Sequence, residues 1–265
     1  MKRISVKILA IVLFQFCGLF LIGGLSGALC QTIIPSWFEE LPSLGDPFGE
    51  APAGTMLSVG YSGKYQDIAL AKKVAINLAL KNMAKQKQIQ LIFEVEELAD
   101  GRLRLLNPTF EQFYEETILT QIKSNFSVVD SLLTDDGYFV LLAYPSRKEL
   151  PFDLPKQKAW GPQPKWITEL PVSKKWVYGI GIVAKYSSWV RAWKDADEYA
   201  RFDLGKNIEI EAESIHAVQR GNRFTIESKI LRQSYDMTLR NSIIVARWYD
   251  AKEDIYYSLC RSAKQ

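Results

Sequence analysis

Eight residues near the start of the chain, PSWFEELP at 35–42, return as PKWITELP at 164–171, and the repetition runs far beyond the phrase. Trp37 and Trp166 lie 129 positions apart, whereas Gly60 in LSVGYSGKY and Gly181 in YGIGIVAKY lie 121 apart. The difference comes from GDPFGEAPAG, a stretch of loop-forming residues that the second copy lacks. At the offset of 121, Lys64-Tyr65 falls on Lys185-Tyr186, and Ala71, Ala75 and Ala79 fall on Ala192, Ala196 and Ala200 without a gap. Near the C-terminus SNFSVVDSLLTDDGYFVLLAY matches NSIIVARWYDAKEDIYYSLC at an offset of 117, with Val128 on Val245. Such a repeat means that the two halves are built from one structural unit. Between them, PSRKELPFDLPKQKAWGPQP holds five of the eleven prolines and favours an extended, semi-rigid connector. The expected organisation is two domains of one kind, 33–147 and 163–263, with a Pro-rich linker at 148–162 and a separate segment at 1–30.

Each copy reads as β-α-β-α-β-β. MLSVGY and WVYGIGIV are short, β-rich runs carrying glycine and are the expected first strands. In the helix that follows, Ala71, Val74, Ala75, Leu78 and Ala79 form an apolar stripe, while Lys72, Lys73, Asn77 and Lys81 face away. Alanine at every fourth residue lets the helix axis come close to a sheet. IQLIFEVEEL and IEIEAESIHAV are the expected second strands, the latter from the alternation of Ile208, Ile210 and Ala212 against Glu209, Glu211 and Glu213. FEQFYEETILTQIK and 224–239 are expected second helices, and hairpins close the copies at 126–133 with 138–144 and at 243–249 with 255–259. The fold class is α+β: two tandem β-α-β-α-β-β domains, each a small antiparallel sheet covered by helices on one face.

The first thirty residues carry Lys2, Arg3 and Lys7 and no acid, followed by an apolar run from Ile8. This is the pattern of an export signal, with Ser26 and Ala28 placed for cleavage after Ala28; retention of the segment as a membrane anchor is the alternative. Either way the body is expected outside the cytoplasm, in the periplasm or at the outer membrane. The chain has 33 basic and 30 acidic residues, and without the three N-terminal cations the two balance. A neutral body without a basic run argues against nucleic acid as a partner. Of the three cysteines, Cys17 and Cys30 belong to the N-terminal region and Cys260 alone to the body, so no disulfide framework is expected. Cys30 is a candidate lipidation residue, although Gly27 and Leu29 stand where a lipobox has Leu and a small residue.

No catalytic, cofactor-binding or metal-binding set emerges. His216 is the only histidine, which removes a histidine metal cluster, and its register with Ile208 and Ile210 makes it a half-buried strand residue. Glu209, Glu211 and Glu213 on one strand face could share a hard cation, but Gln88 and Gln90 at the matching places of the first copy favour a solvated polar face. Gly179 and Gly181 lack the third glycine of a dinucleotide loop. Among seven tryptophans, Trp37 and Trp166 belong to the repeated phrase and are expected to plug the core edge. Trp189 and Trp193, four apart on a helix, are left as a candidate docking patch.

The residues Pro35, Trp37, Pro42, Gly60, Ala71, Ala75 and Ala79, with Pro164, Trp166, Pro171, Gly179, Gly181, Ala192, Ala196 and Ala200, resemble the LPP-twenty lipoprotein family of bacterial envelopes, present here as tandem copies. The pattern is also similar to the N-terminal domain of flagellar assembly protein T. The resemblance implies a small envelope lipoprotein without catalytic residues. The expected function is that of a non-enzymatic, exported cell-envelope module for structure or assembly, partnered by other envelope proteins, by itself or by a membrane. A cell-wall glycan-binding module using the aromatics of the second copy is the alternative.

Overall fold

A computed structural model describes residues 33–41, 54–97, 103–105, 111–147, 160–185, 188–220 and 231–264. The expected export or anchor segment at 1–30, with Cys30, Pro42 and most of the 148–162 linker, lies outside them. In the first copy the repeated phrase makes one helical turn, α1 (Ser36–Glu39). Strand β1 (Met56–Gly63), helix α2 (Ile68–Lys87), strand β2 (Gln88–Glu97) and the short strands β3 (Leu103–Leu105) and β4 (Glu111–Phe113) follow. Helix α3 (Glu116–Ser124) and the hairpin β5 (Ser127–Leu133) and β6 (Gly137–Tyr144) close the copy. In the second, a 3-10 turn (Lys165–Ile167) precedes β7 (Trp176–Ala184), α4 (Trp189–Arg220), β8 (Leu231–Arg240), β9 (Ile243–Asp250) and β10 (Ile255–Ala263). The described residues therefore form a mixed α+β fold of four helices and three small antiparallel sheets. No helix among them is long and apolar enough to cross a membrane.

The helix-on-strand contact expected from the alanine spacing is present in both copies. Ala71, Ala75, Ala79, Ala192, Ala196 and Ala200 are all buried. A Cβ on Gly60 would overlap the Ala75 carbonyl, one on Gly181 the Ala196 carbonyl, and one on Gly179 the Leu204 amide. Glycine on the strand and alanine on the helix thus let the two backbones touch. Both helices start at matching places: the Asp67 carboxylate accepts from Ala69 N at 2.8 Å and Ser188 Oγ from Arg191 N at 3.3 Å, each capping a first turn.

β1 and β7 are edge strands, since the sheet orders are β1-β6-β5 and β7-β10-β9. Their free backbone groups are met by the helices. Asn82 Nδ2 donates to Val59 O at 3.1 Å. Asp203 Oδ2, 121 positions later, accepts from Ile180 N at 3.0 Å, and Asn207 Nδ2 donates to Tyr178 O at 2.8 Å. Covering an edge in this way removes a template for strand addition.

Three expected elements are corrected. The stretch 208–218 is helix, because α4 runs unbroken to Arg220. Its alternating Ile, Glu and Ala residues are tolerated by a helix already nucleated, and Glu and Ala are strong helix formers. The expected helix at 224–239 is strand β8 over its described part, with half-buried Met237 and buried Leu239 alternating with exposed Asp236, Thr238 and Arg240. FEQFYEETILTQIK is helical only from Glu116, with Glu111–Phe113 forming β4. The second strand does not join its own copy's sheet. Instead β2 pairs antiparallel with β8 from Gln88↔Arg240 to Glu97↔Leu231, so the ribbon crosses between copies.

The first sheet is buried on both faces. Val140 and Leu142 of β6 meet α2 and α3, while Phe139, Leu141 and Ala143 enter an apolar cluster with Trp37, Phe38, Trp193 and Tyr256. That cluster draws on both copies, and 32–265 forms one compact unit. Helix α4 packs its alanines on β7 and its first turn on the first copy, where Trp189 meets Tyr61 and Phe139.

Candidate functional site

The aromatic residues of both copies converge where the first turn of α4 meets the first hairpin. The Ser188 cap fixes the start of that turn, and Trp189 stacks on Phe139 with ring centroids 5.6 Å apart and 23° between planes. The absence of a side chain at Gly137 makes room, since a Cβ there would lie 2.9 Å from Trp189 Cζ2. One turn along, Trp193 stacks on Trp160 at 5.5 Å and meets the edges of Phe38 at 5.3 Å and Tyr256 at 4.9 Å. These rings and Tyr249 wall a half-open cavity of about 150 Å³, to which Asp136 and Lys185 bring the charged groups.

The polar end of the cavity is organised by Asp254. Its Oδ1 accepts from Tyr249 OH at 2.8 Å and its Oδ2 lies 3.5 Å from Lys185 Nζ. Burial and the bond to Asp254 push the Tyr249 phenol up to about 12, and burial with the neighbouring Tyr249 raises Tyr256 further. Both therefore stay protonated at neutral pH, with the Tyr249 proton directed at Asp254 and its oxygen left as an acceptor. Flat apolar faces edged by hydroxyls, a carboxylate and an ammonium suit a ligand with one CH-rich face and polar edges.

Beneath the cavity, a buried ion pair of the second copy holds the arginine that reaches the first. Arg247 donates from Nε to Asp197 Oδ1 at 3.1 Å and from Nη2 to Oδ2 at 2.8 Å, while Ser258 Oγ donates to Oδ1 at 2.7 Å. Arg247 Nη1 also reaches Phe38 O at 3.4 Å, and its guanidinium sits 4.9 Å from the Phe38 ring centroid. At the corresponding position of the first copy, by the hairpin offset, Asp130 Oδ2 accepts from Trp37 Nε1 at 2.7 Å. Both residues thus hold the turn α1, one from each side.

Trp37 is fully buried and Trp166 is 5% exposed, each in an apolar cluster. Pro35 is buried and Pro164 and Pro171 half-buried around them, and Gly60 and Gly181 lie beneath their helices. Trp189 is half-buried but Trp193 only 3% exposed, so the two tryptophans contribute walls of a cavity rather than a flat surface patch. Glu209, Glu211, Glu213 and His216 lie on a helix, where residues two apart do not share a face. The one-sided carboxylate row and the strand histidine are thereby overturned. Trp160, Tyr249 and Tyr256 escape a motif search because the first ends the linker and the other two are ordinary hairpin residues. The Pro-framed Trp160 just before the second phrase is the one signal that could have singled them out.

Comparison with known proteins finds no family model that matches this chain, and no curated protein or solved structure with significant similarity to it.

Proposed function

We propose that the protein is a non-enzymatic module of the bacterial cell envelope, exported through its N-terminal segment and acting in structure or assembly. The observation that carries this reading is the use of its buried charges: Asp197 is committed to Arg247 and Ser258, and Lys85 to Glu198 at 2.8 Å. The Lys85–Glu198 pair and the Arg247 bond to Phe38 O join the two copies, and Asp197 holds Arg247 in place for it. Cys260, the thiol of the body, is fully buried with its pKa pushed up to about 12, which makes it a poor nucleophile. The resemblance to tandem LPP-twenty domains supports the envelope setting. Partners are then other envelope proteins or a second copy of the chain, with the membrane reached through the N-terminal segment or an acylated Cys30.

A second reading is favoured by the aromatic cavity. Its stacked tryptophans, with Asp136 and Lys185 beside them, suit a pyranose ring of cell-wall glycan. Sedimentation of the purified full chain with isolated peptidoglycan separates the two. The assembly reading expects the protein to stay in the supernatant. Retention that Trp189→Ala abolishes, with the melting temperature of the variant near that of wild type, moves the conclusion to glycan binding. Intact mass of the mature chain from envelope fractions tests export: a free Leu29 or Gln31 excludes lipidation, an acylated Cys30 establishes it, and an uncleaved Met1 points to the anchor.

A further inference from the structure

A second cavity, of about 250 Å³, opens beside the edge strand β1, between α2 and α4, and its chemistry is opposite to that of the aromatic one. Lys85 and Glu198 form one wall, joined at 2.8 Å; Gln112 Oε1 accepts from Lys85 Nζ at 3.3 Å and Gln112 Nε2 donates to Glu198 O at 3.0 Å. The exposed ammoniums of Lys81 and Lys194 stand at the rim. Deeper in lie Tyr61, fully buried, and Arg201, 2% exposed.

Two donors here lack acceptors. Among the described residues neither Tyr61 OH nor Arg201 Nε has a hydrogen-bond partner. The Tyr61 ring is turned toward Phe38 and Trp189, and its hydroxyl feels the charges of Asp197, Glu198 and Arg201, which line this cavity with it. Burial holds the phenol protonated, so it can donate. Neither carboxylate of the lining receives these donors. Asp197 accepts two bonds from Arg247 and one from Ser258, and Glu198 Oε1 is paired with Lys85. Arg201 gives one bond, from Nη1 to the Asp197 carbonyl at 3.3 Å, and forms no ion pair among the described residues. A buried guanidinium with an unpaired N–H and a buried hydroxyl without an acceptor are both costly. An anion with oxygen acceptors satisfies both together and faces Lys81 and Lys194 at the mouth.

We infer that this cavity is a binding site for a small oxyanion, a phosphate or carboxylate group, held by Tyr61 and Arg201 from below and by Lys81 and Lys194 from the rim. The site is independent of the aromatic cavity and of the envelope reading.

Thermal unfolding and calorimetry of the full chain, titrated with inorganic phosphate and in parallel with acetate against chloride at matched ionic strength, test it. The expected result is a saturable rise in melting temperature with one of the two anions, which also identifies the group. Tyr61→Phe removes only the orphan hydroxyl. It should leave the unliganded protein at least as stable as wild type and weaken anion binding about tenfold, the size expected for one hydrogen bond to a charged group. Lys194→Ala should weaken binding several-fold, while Lys185→Ala, which deletes an exposed cation on the other cavity, should leave it unchanged. No saturation beyond chloride overturns the proposal and leaves a hydrated polar cavity. Equal binding by wild type and Tyr61→Phe, or equal loss in Lys185→Ala and Lys194→Ala, overturns it as well.

Discussion

Gly60 and Gly181 lie under the alanines of α2 and α4, where a methyl group would enter a helix carbonyl rather than a side chain that can move aside. Gly181→Ala is therefore expected to lower stability by about 3 kcal/mol, the upper range of overpacking. Gly63→Ala, whose Cβ would rest at an ordinary 3.6 Å from Val190, should change it little, and urea unfolding of the two variants checks the contrast. Asp197 works at the same scale. Asp197→Asn leaves Arg247 4% exposed without its counter-charge, an expected loss of about 3–5 kcal/mol. Removing Arg247 in addition should recover part of that loss in a double-mutant cycle. Cys260 and Tyr249 hold their protons more tightly in the fold than their ordinary values of 9.0 and 10.0, each rising to about 12. Their contribution to stability is thus complete below pH 9 and is lost as pH climbs from there toward 12. The melting temperature should fall across that range. In a Cys17→Ser, Cys30→Ser chain, Cys260 should resist a thiol reagent at pH 8 until denaturant is added.

Among the elements, the sequence is legible wherever one contact type decides the outcome. The alanine stripe, the glycine strands and the closing hairpins follow from spacing alone, because close approach leaves few alternatives at those positions. The middle of each copy is different. At 208–218, alternation of Ile and Ala with Glu suits a strand, yet Glu and Ala also extend a helix that α4 has already started, and continuation wins. Glu209→Pro should accordingly cost about 3 kcal/mol and lower the helical signal in circular dichroism, an effect a strand edge would not show. Strand β8 was open to detection in QSYDMTLR, whose alternation is as regular, but its partner β2 lies in the other copy and no local pattern reveals that pairing. Trp37 and Trp166 are buried as core plugs, as their place between prolines suggests. Trp193 is buried too, because the partner rings of Phe38 and Trp160 come from segments far along the chain.

In the whole molecule, the repeated unit serves a purpose that neither copy carries alone. The first sheet buries one face under its own helices and gives the other to a cluster shared with α4, Trp193 and Tyr256. The Arg247 bond to Phe38 O, the Lys85–Glu198 pair and the β2–β8 ribbon cross between the copies at three further places. Both cavities form at these crossings, which is why the sites were much less visible in the sequence than the elements. Each takes walls from both copies, and Phe38 and Arg247, which meet at one of these crossings, are 209 residues apart. That shared core should make both copies unfold together. Differential scanning calorimetry of the full chain, with Trp37→Ala alongside, tests it directly. A single transition is predicted, its calorimetric and van't Hoff enthalpies equal, with the whole transition displaced by Trp37→Ala through a loss of about 3–5 kcal/mol. Two resolved transitions, of which Trp37→Ala moves only one, would contradict it.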